Sequence, residues 1–103
     1  MKEWTSEELS AFLTSGKTGL AYFYTPLCGT CQVAGRMLEV IDALQPDLEI
    51  GKINLNYAPE FALTFGIESV PCLAFVKEGR AVDAIYAFRS VPYLLDKINT
   101  VFD

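Results

Sequence analysis

The chain has 103 residues, 51% of them hydrophobic and 20% charged, the size and composition of one compact domain with its own core. Its net charge of −5, with eight basic residues scattered among thirteen acidic ones, leaves no basic stripe and sets aside nucleic acid and acidic membrane surfaces as partners. No apolar run approaches the ~20 residues of a membrane span. Met1-Lys2-Glu3-Trp4 leads into a capped polar segment rather than a signal peptide, so a cytoplasmic protein is expected, taking Met1 as the native start.

The first helix announces itself at Thr5, an N-cap with Glu8 placed to close a capping box, while Trp4 and Leu9 form a hydrophobic staple across the cap. Leu9, Phe12 and Leu13 make its apolar stripe, and Gly16 ends it. Leu20 to Tyr24 is a continuous apolar and aromatic run suited to a strand buried on both faces, closed by Thr25-Pro26. From about Cys28 to Gln45 a long helix is expected, with Val33, Met37, Val40, Ile41 and Leu44 on its inward face and Pro46 as the stop.

Leu48 to Leu55 reads as a second strand whose alternation Gly51 blurs. A short helix around Pro59 to Phe65 ends at Gly66. Val70-Pro71 opens a strand over Cys72 to Val76, and Glu78-Gly79 turns it into a hairpin with Ala81 to Ala87. Ser90 caps a last helix with Leu94, Leu95, Ile98, Val101 and Phe102 along one side. Strands joined by a long helix pair in parallel through a right-handed crossover, whereas the turn at Gly79 makes the last two antiparallel. The expected fold is α/β: one domain over residues 1–103, with a mixed central sheet of four strands and helices on both faces.

The three cysteines, Cys28, Cys31 and Cys72, are too few and odd in number for a secreted disulfide framework. A structural zinc site takes four Cys or His ligands, and a chain with three Cys and no His does not supply them alone. Redox chemistry at the Cys28-Gly29-Thr30-Cys31 motif is then the leading use. A cysteine at a helix N-terminus has its thiolate stabilised by free N–H groups and the helix dipole, and a second cysteine three residues on returns within its reach.

In this order the segments Tyr22-Phe23-Tyr24-Thr25-Pro26-Leu27-Cys28-Gly29-Thr30-Cys31, Lys52-Ile53-Asn54-Leu55-Asn56, Gly66-Ile67-Glu68-Ser69-Val70-Pro71 and Phe75-Val76-Lys77-Glu78-Gly79 resemble the thioredoxin family over nearly the whole chain. The resemblance implies a thioredoxin-like fold and a thiol-disulfide oxidoreductase, with Cys28 as attacking thiol and Cys31 as resolving thiol. It implies a cis peptide bond before Pro71, and a substrate surface built from Leu27, Gly29, Thr30 and the main-chain edge of Val70 and Pro71. No cofactor or metal is required. The implied partners are disulfide-containing proteins or small molecules and an external reductant that recycles the pair, in a monomer serving electron transport and cell redox homeostasis.

The chain also departs from the family pattern. Leu27 stands where Trp is common and Thr30 where Pro is common, reducing the apolar apron. Tyr22 occupies the position, six residues before Cys28, where many members bury an Asp, and Lys52 loses the partner it would have there. Ala87 replaces the usual Gly of the substrate-facing loop, and Gly35 and Arg36 lie near the place of a missing helix-kinking proline. Tyr22, Lys52 and Cys72 are therefore the expected modulators of the site, with Lys52 read as a snorkelling side chain and Cys72 as a small core residue. Two alternatives stay open: a non-catalytic thioredoxin-like binding module, and a CxxC that holds a metal or iron-sulfur cluster between two subunits.

Overall fold

A computed structural model describes residues 1–103. After the short strand β1 (Lys2–Glu3) come α1 (Ser6–Thr14), β2 (Gly19–Tyr24), α2 (Gly29–Leu44) and β3 (Glu49–Asn54). A single 3-10 turn over Leu55–Tyr57 leads to α3 (Glu60–Thr64), the hairpin β4 (Cys72–Lys77) and β5 (Arg80–Ile85), and α4 (Val91–Phe102). The strands lie in the order β1-β3-β2-β4-β5, with β1, β3 and β2 mutually parallel and β4 antiparallel to both β2 and β5.

The two-residue period of the strands divides the core into two layers. Ala21 and Phe23 of β2 with Cys72, Ala74 and Val76 of β4 face Leu9 and Phe12 of α1 and Phe61 of α3. Leu20 and Tyr22 with Leu73 and Phe75 face the other way, onto Leu38 and Ile41 of α2 and Leu94 and Ile98 of α4. Both faces of β2 and β4 are thus dry, which is why these strands are written as unbroken apolar runs.

Local chemistry sets the element ends. The Thr5 hydroxyl accepts the Glu8 N–H at 3.1 Å and the Glu8 carboxylate accepts the Thr5 N–H at 2.9 Å, the expected capping box, which contributes about 1 kcal/mol. Gly79 at φ 80° turns the β4–β5 hairpin. Gly51 is required for a different reason: a Cβ there would overlap the Trp4 indole, which lies across β3 and packs on Phe12 at 4.8 Å between ring centroids. The irregularity in the strand pattern is the seat of the tryptophan.

Two expectations are corrected. The sheet has five strands, because Lys2 and Glu3 pair with Gly51 and Lys52 of β3; a two-residue charged edge strand carries no apolar alternation to reveal it. The inward face of α2 is Cys31, Ala34, Leu38 and Ile41, whereas Val33, Val40 and Leu44 are exposed and Met37 is only partly covered. The helix is apolar on more than one face, and the face that meets the sheet combines small Cys31 and Ala34 with Leu38 and Ile41. No helix is long and apolar enough to cross a membrane.

Candidate active site

Strand β2 is the middle strand, and its C-terminal end delivers the chain through Thr25, Pro26 and Leu27 to the start of α2. Cys28 is the N-cap of that helix, with an extended backbone (φ −107°, ψ 107°). Its Sγ takes the place that a Ser or Asp oxygen fills in an ordinary cap: it accepts the Cys31 N–H at 3.1 Å. The Thr30 hydroxyl lies 3.4 Å from the same sulfur. Cys28 and Cys31 are joined as a disulfide, with Cα atoms 5.2 Å apart. Cys28 is half-buried, whereas Cys31 is buried under the first turn. One sulfur of the pair faces outward and the other is sheltered.

The other residues expected at the site are only partly gathered around the pair. Thr30 and Pro71 line one groove of about 360 Å³ together with Met37 of α2 and Phe88 and Arg89 of the β5–α4 loop. The Val70–Pro71 peptide bond is cis, and Val70 packs onto the α1/α3 layer. Leu27 is fully exposed on the loop before Cys28, and Gly29 begins α2 with no side chain to contribute. Ala87 lines the groove, and its neighbour Tyr86 braces it: the Tyr86 hydroxyl accepts the Glu68 N–H at 3.2 Å and donates to the Gly66 carbonyl at 3.3 Å.

Behind the pair, Tyr22 fills the place of the missing acid. Its ring stacks on Tyr24 at 5.8 Å and meets the edge of Phe88 at 5.9 Å, and its hydroxyl donates to the Cys31 carbonyl. Burial pushes the Tyr22 phenol up to about 12, so it remains a donor at any physiological pH. Burial and the Glu3 carboxylate that accepts its hydroxyl proton likewise raise Tyr24. Lys52 pairs across the strands with Tyr22, yet its Nζ reaches out over the Tyr24 ring, 5.5 Å from the centroid, toward Glu3 at 3.8 Å. Lys52 thus has a surface acid and a ring face as its partners. A cleft of about 370 Å³ is lined by Tyr22, Tyr24 and Lys52 together with Cys31, Gly35, Arg36 and Glu39 of α2.

Cys72 is wholly buried in the α1/α3 layer, on the opposite side of the sheet from α2. Burial, partly offset by the Tyr86 hydroxyl, pushes its thiol up to about 11. No three His, Cys, Asp or Glu side chains converge as a metal site. Tyr22 was expected as a modulator, though not for its hydrogen bond to the Cys31 carbonyl, and the Tyr86 brace and Arg89 were missed as site elements in the sequence. A tyrosine in an apolar strand reads as core, and a loop arginine carries no local signal of what it lines.

A mixed sheet flanked by helices, with a CxxC disulfide capping the helix that leaves its middle strand, defines a thiol-disulfide oxidoreductase of thioredoxin fold. The chain belongs to the thioredoxin family, whose sequence model matches residues 1–100. It is 45% identical over 99 residues to the thioredoxin-like protein YusE of Bacillus subtilis strain 168, covering 96% of this chain and 92% of that one. It is 32% identical over 96 residues to the thioredoxin of the same organism, covering 92% and 91%. Among solved structures, a mutant thioredoxin from Halobacterium salinarum superposes with a TM-score of 0.84 at 25% identity, over 100% of this chain and 90% of that one.

Proposed function

We propose that the protein is a dithiol reductase of protein and small-molecule disulfides, working as a monomer in the reducing cytoplasm. The observation that carries this reading is the N-cap role of Cys28. In the reduced protein the Cys31 N–H, the Thr30 hydroxyl and the positive end of the α2 dipole all favour the Cys28 thiolate, the nucleophilic form. Cys28 is the more exposed of the two, so an incoming disulfide meets it first.

Cys28 attacks one sulfur of the substrate disulfide; that S–S bond breaks, and the other substrate sulfur leaves as a thiolate and takes a proton. Cys31 then loses its proton and attacks the Cys28 sulfur, releasing the second substrate thiol and forming the disulfide seen here. Two electrons and two protons pass to substrate, and an external dithiol reductant restores them. Leu27, Gly29, Thr30 and the main-chain edge of Val70 and Pro71 hold the substrate chain beside Cys28. With Tyr22 in place of an acid and kept protonated by burial, the position behind the pair supplies no carboxylate, and the Cys31 proton passes to solvent in the cleft that Glu39 also lines.

The test is disulfide exchange with Cys31→Ser. Cys28 should still attack, and the mixed disulfide should persist for want of a resolving thiol, so substrates are retained through Cys28 until a reducing agent is added. Adducts that persist in Cys28→Ser/Cys31→Ser would refute the assigned nucleophile. Absence of adducts with the single variant, and of disulfide reduction by the wild type, would favour a binding module.

A further inference from the structure

We infer that Arg89 makes the groove beside the redox pair selective for extended polypeptides that carry a carboxylate side chain next to the disulfide. The inference rests on the reductase reading and names its substrate class. The groove that contains Thr30 and Pro71 is lined by apolar and uncharged residues with one exception, Arg89. This guanidinium takes part in none of the ion pairs of the structure. It lies over the Tyr93 ring, 5.1 Å from the centroid. No side-chain hydrogen bond of the structure engages its N–H donors, which are thus free to meet a carboxylate.

The backbone holds it there. Arg89 has φ 62°, a left-handed conformation that a residue with a Cβ seldom adopts, and the Ser90 N–H bonds back to the Phe88 carbonyl at 2.8 Å in a tight turn. Ser90 is the N-cap of α4, with its hydroxyl on the Tyr93 N–H at 3.1 Å, so the positive end of a twelve-residue helix lies beside the arginine. Guanidinium and dipole together set a local positive potential at the rim of an otherwise acidic protein. With Tyr86 fixing the loop at Gly66 and Glu68 on the Pro71 side, the groove is preorganised, and an acidic side chain entering beside Pro71 and Thr30 meets a cation that is in no ion pair.

The experiment compares reduction of three peptides of one length, each with a single disulfide flanked by Asp, Asn or Lys, by wild type, Arg89→Asn and Arg89→Lys. Asn suits the left-handed backbone and removes the guanidinium together with its contact on the Tyr93 ring, so a folded variant is expected. For an exposed charge pair the wild type should favour Asp over Asn by about three- to fivefold in kcat/KM. That ratio should fall to about one in Arg89→Asn, be retained only in part in Arg89→Lys, which keeps the charge without the fork, and shrink at about 1 M salt. Equal rates for all peptides, or a preference unmoved by Arg89→Asn, would overturn the inference. Chemical-shift titration of the oxidised protein with cysteine-free versions of the peptides needs no turnover. Failure of all reduction would sink the reductase reading, while tighter binding of the Asp peptide that Arg89→Asn abolishes would still sustain this one and equal binding would end it.

Discussion

Replacing Tyr22 by Phe isolates one contact of the redox loop. Phe keeps the ring against Tyr24 and Phe88, and removes only the hydroxyl that donates to the Cys31 carbonyl. Tyr22 is 2% exposed, so no bulk water replaces the lost donor. The carbonyl lies in the first turn of α2 and keeps its place as a helical acceptor, so it is not orphaned. The loss is then that of one net hydrogen bond, about 1 kcal/mol, rather than of a stranded polar group. For a chain of this size that lowers Tm by about 4–8 °C. Urea unfolding of the oxidised protein should show the midpoint falling with the slope unchanged. The penalty should be constant from pH 5 to 9, because burial holds the phenol protonated to about 12. Above pH 10 the sign is fixed: the unfolded chain ionises its tyrosine first, so the wild type loses stability as pH rises toward 12 and the Phe variant is spared this loss. A penalty near zero, or one that changes between pH 5 and 9, would show that the hydroxyl does not hold the Cys31 carbonyl.

Other outcomes follow from the same geometry. In the reduced protein at pH 8, a soluble alkylating agent should modify Cys28 and leave Cys72 intact until denaturant is added, since Cys72 is buried and its thiol is raised to about 11; mass spectrometry of the labelled peptides reads this directly. Gly51→Ala should destabilise by about 1–3 kcal/mol despite the better strand propensity of Ala, because its Cβ would overlap the Trp4 indole. Trp4 is the sole tryptophan, so its emission should also move to the red. Lys97, 2.8 Å away, holds the Asp83 carboxyl below the usual carboxylate range. Its contribution is present above the unfolded pKa and lost as pH falls through the lower folded value, so Asp83→Asn should flatten the acid limb of the stability profile. An unaltered limb would show the pair to be inert.

What could be read from the sequence was mostly local. The capping box of Thr5 and Glu8, the stop at Pro46 and the hairpin at Gly79 each depend on residues a few positions apart. The CxxC was legible for the same reason: helix start and cysteine spacing are written side by side. The contents of the site were less legible because they arrive from distant strands and loops. Tyr22, six residues before Cys28, was legible as a neighbour of the pair, whereas Arg89 comes from the β5–α4 loop to the groove beside Thr30 and nothing near it in sequence says so. The inward face of α2 was misread because small Ala34 meets the sheet while larger Val33 and Val40 do not. Hydrophobicity ranks residues by bulk, whereas a helix laid close on a sheet chooses them by fit.

The alternation of side chains along β4 has a consequence for electron counting. Cys72 projects into the α1/α3 layer and is wholly buried there, whereas α2, which carries the redox pair at its start, packs on the other layer. A protein with three communicating thiols could hold its oxidation as any of three disulfides and would pass electrons with three affinities. Buried as it is, Cys72 is expected to stay out of exchange, so that equilibration against a dithiol buffer gives a single couple of two electrons. Shifting β4 by one residue against β2 would turn Cys72 through the sheet and change the number of redox states without changing a single amino acid.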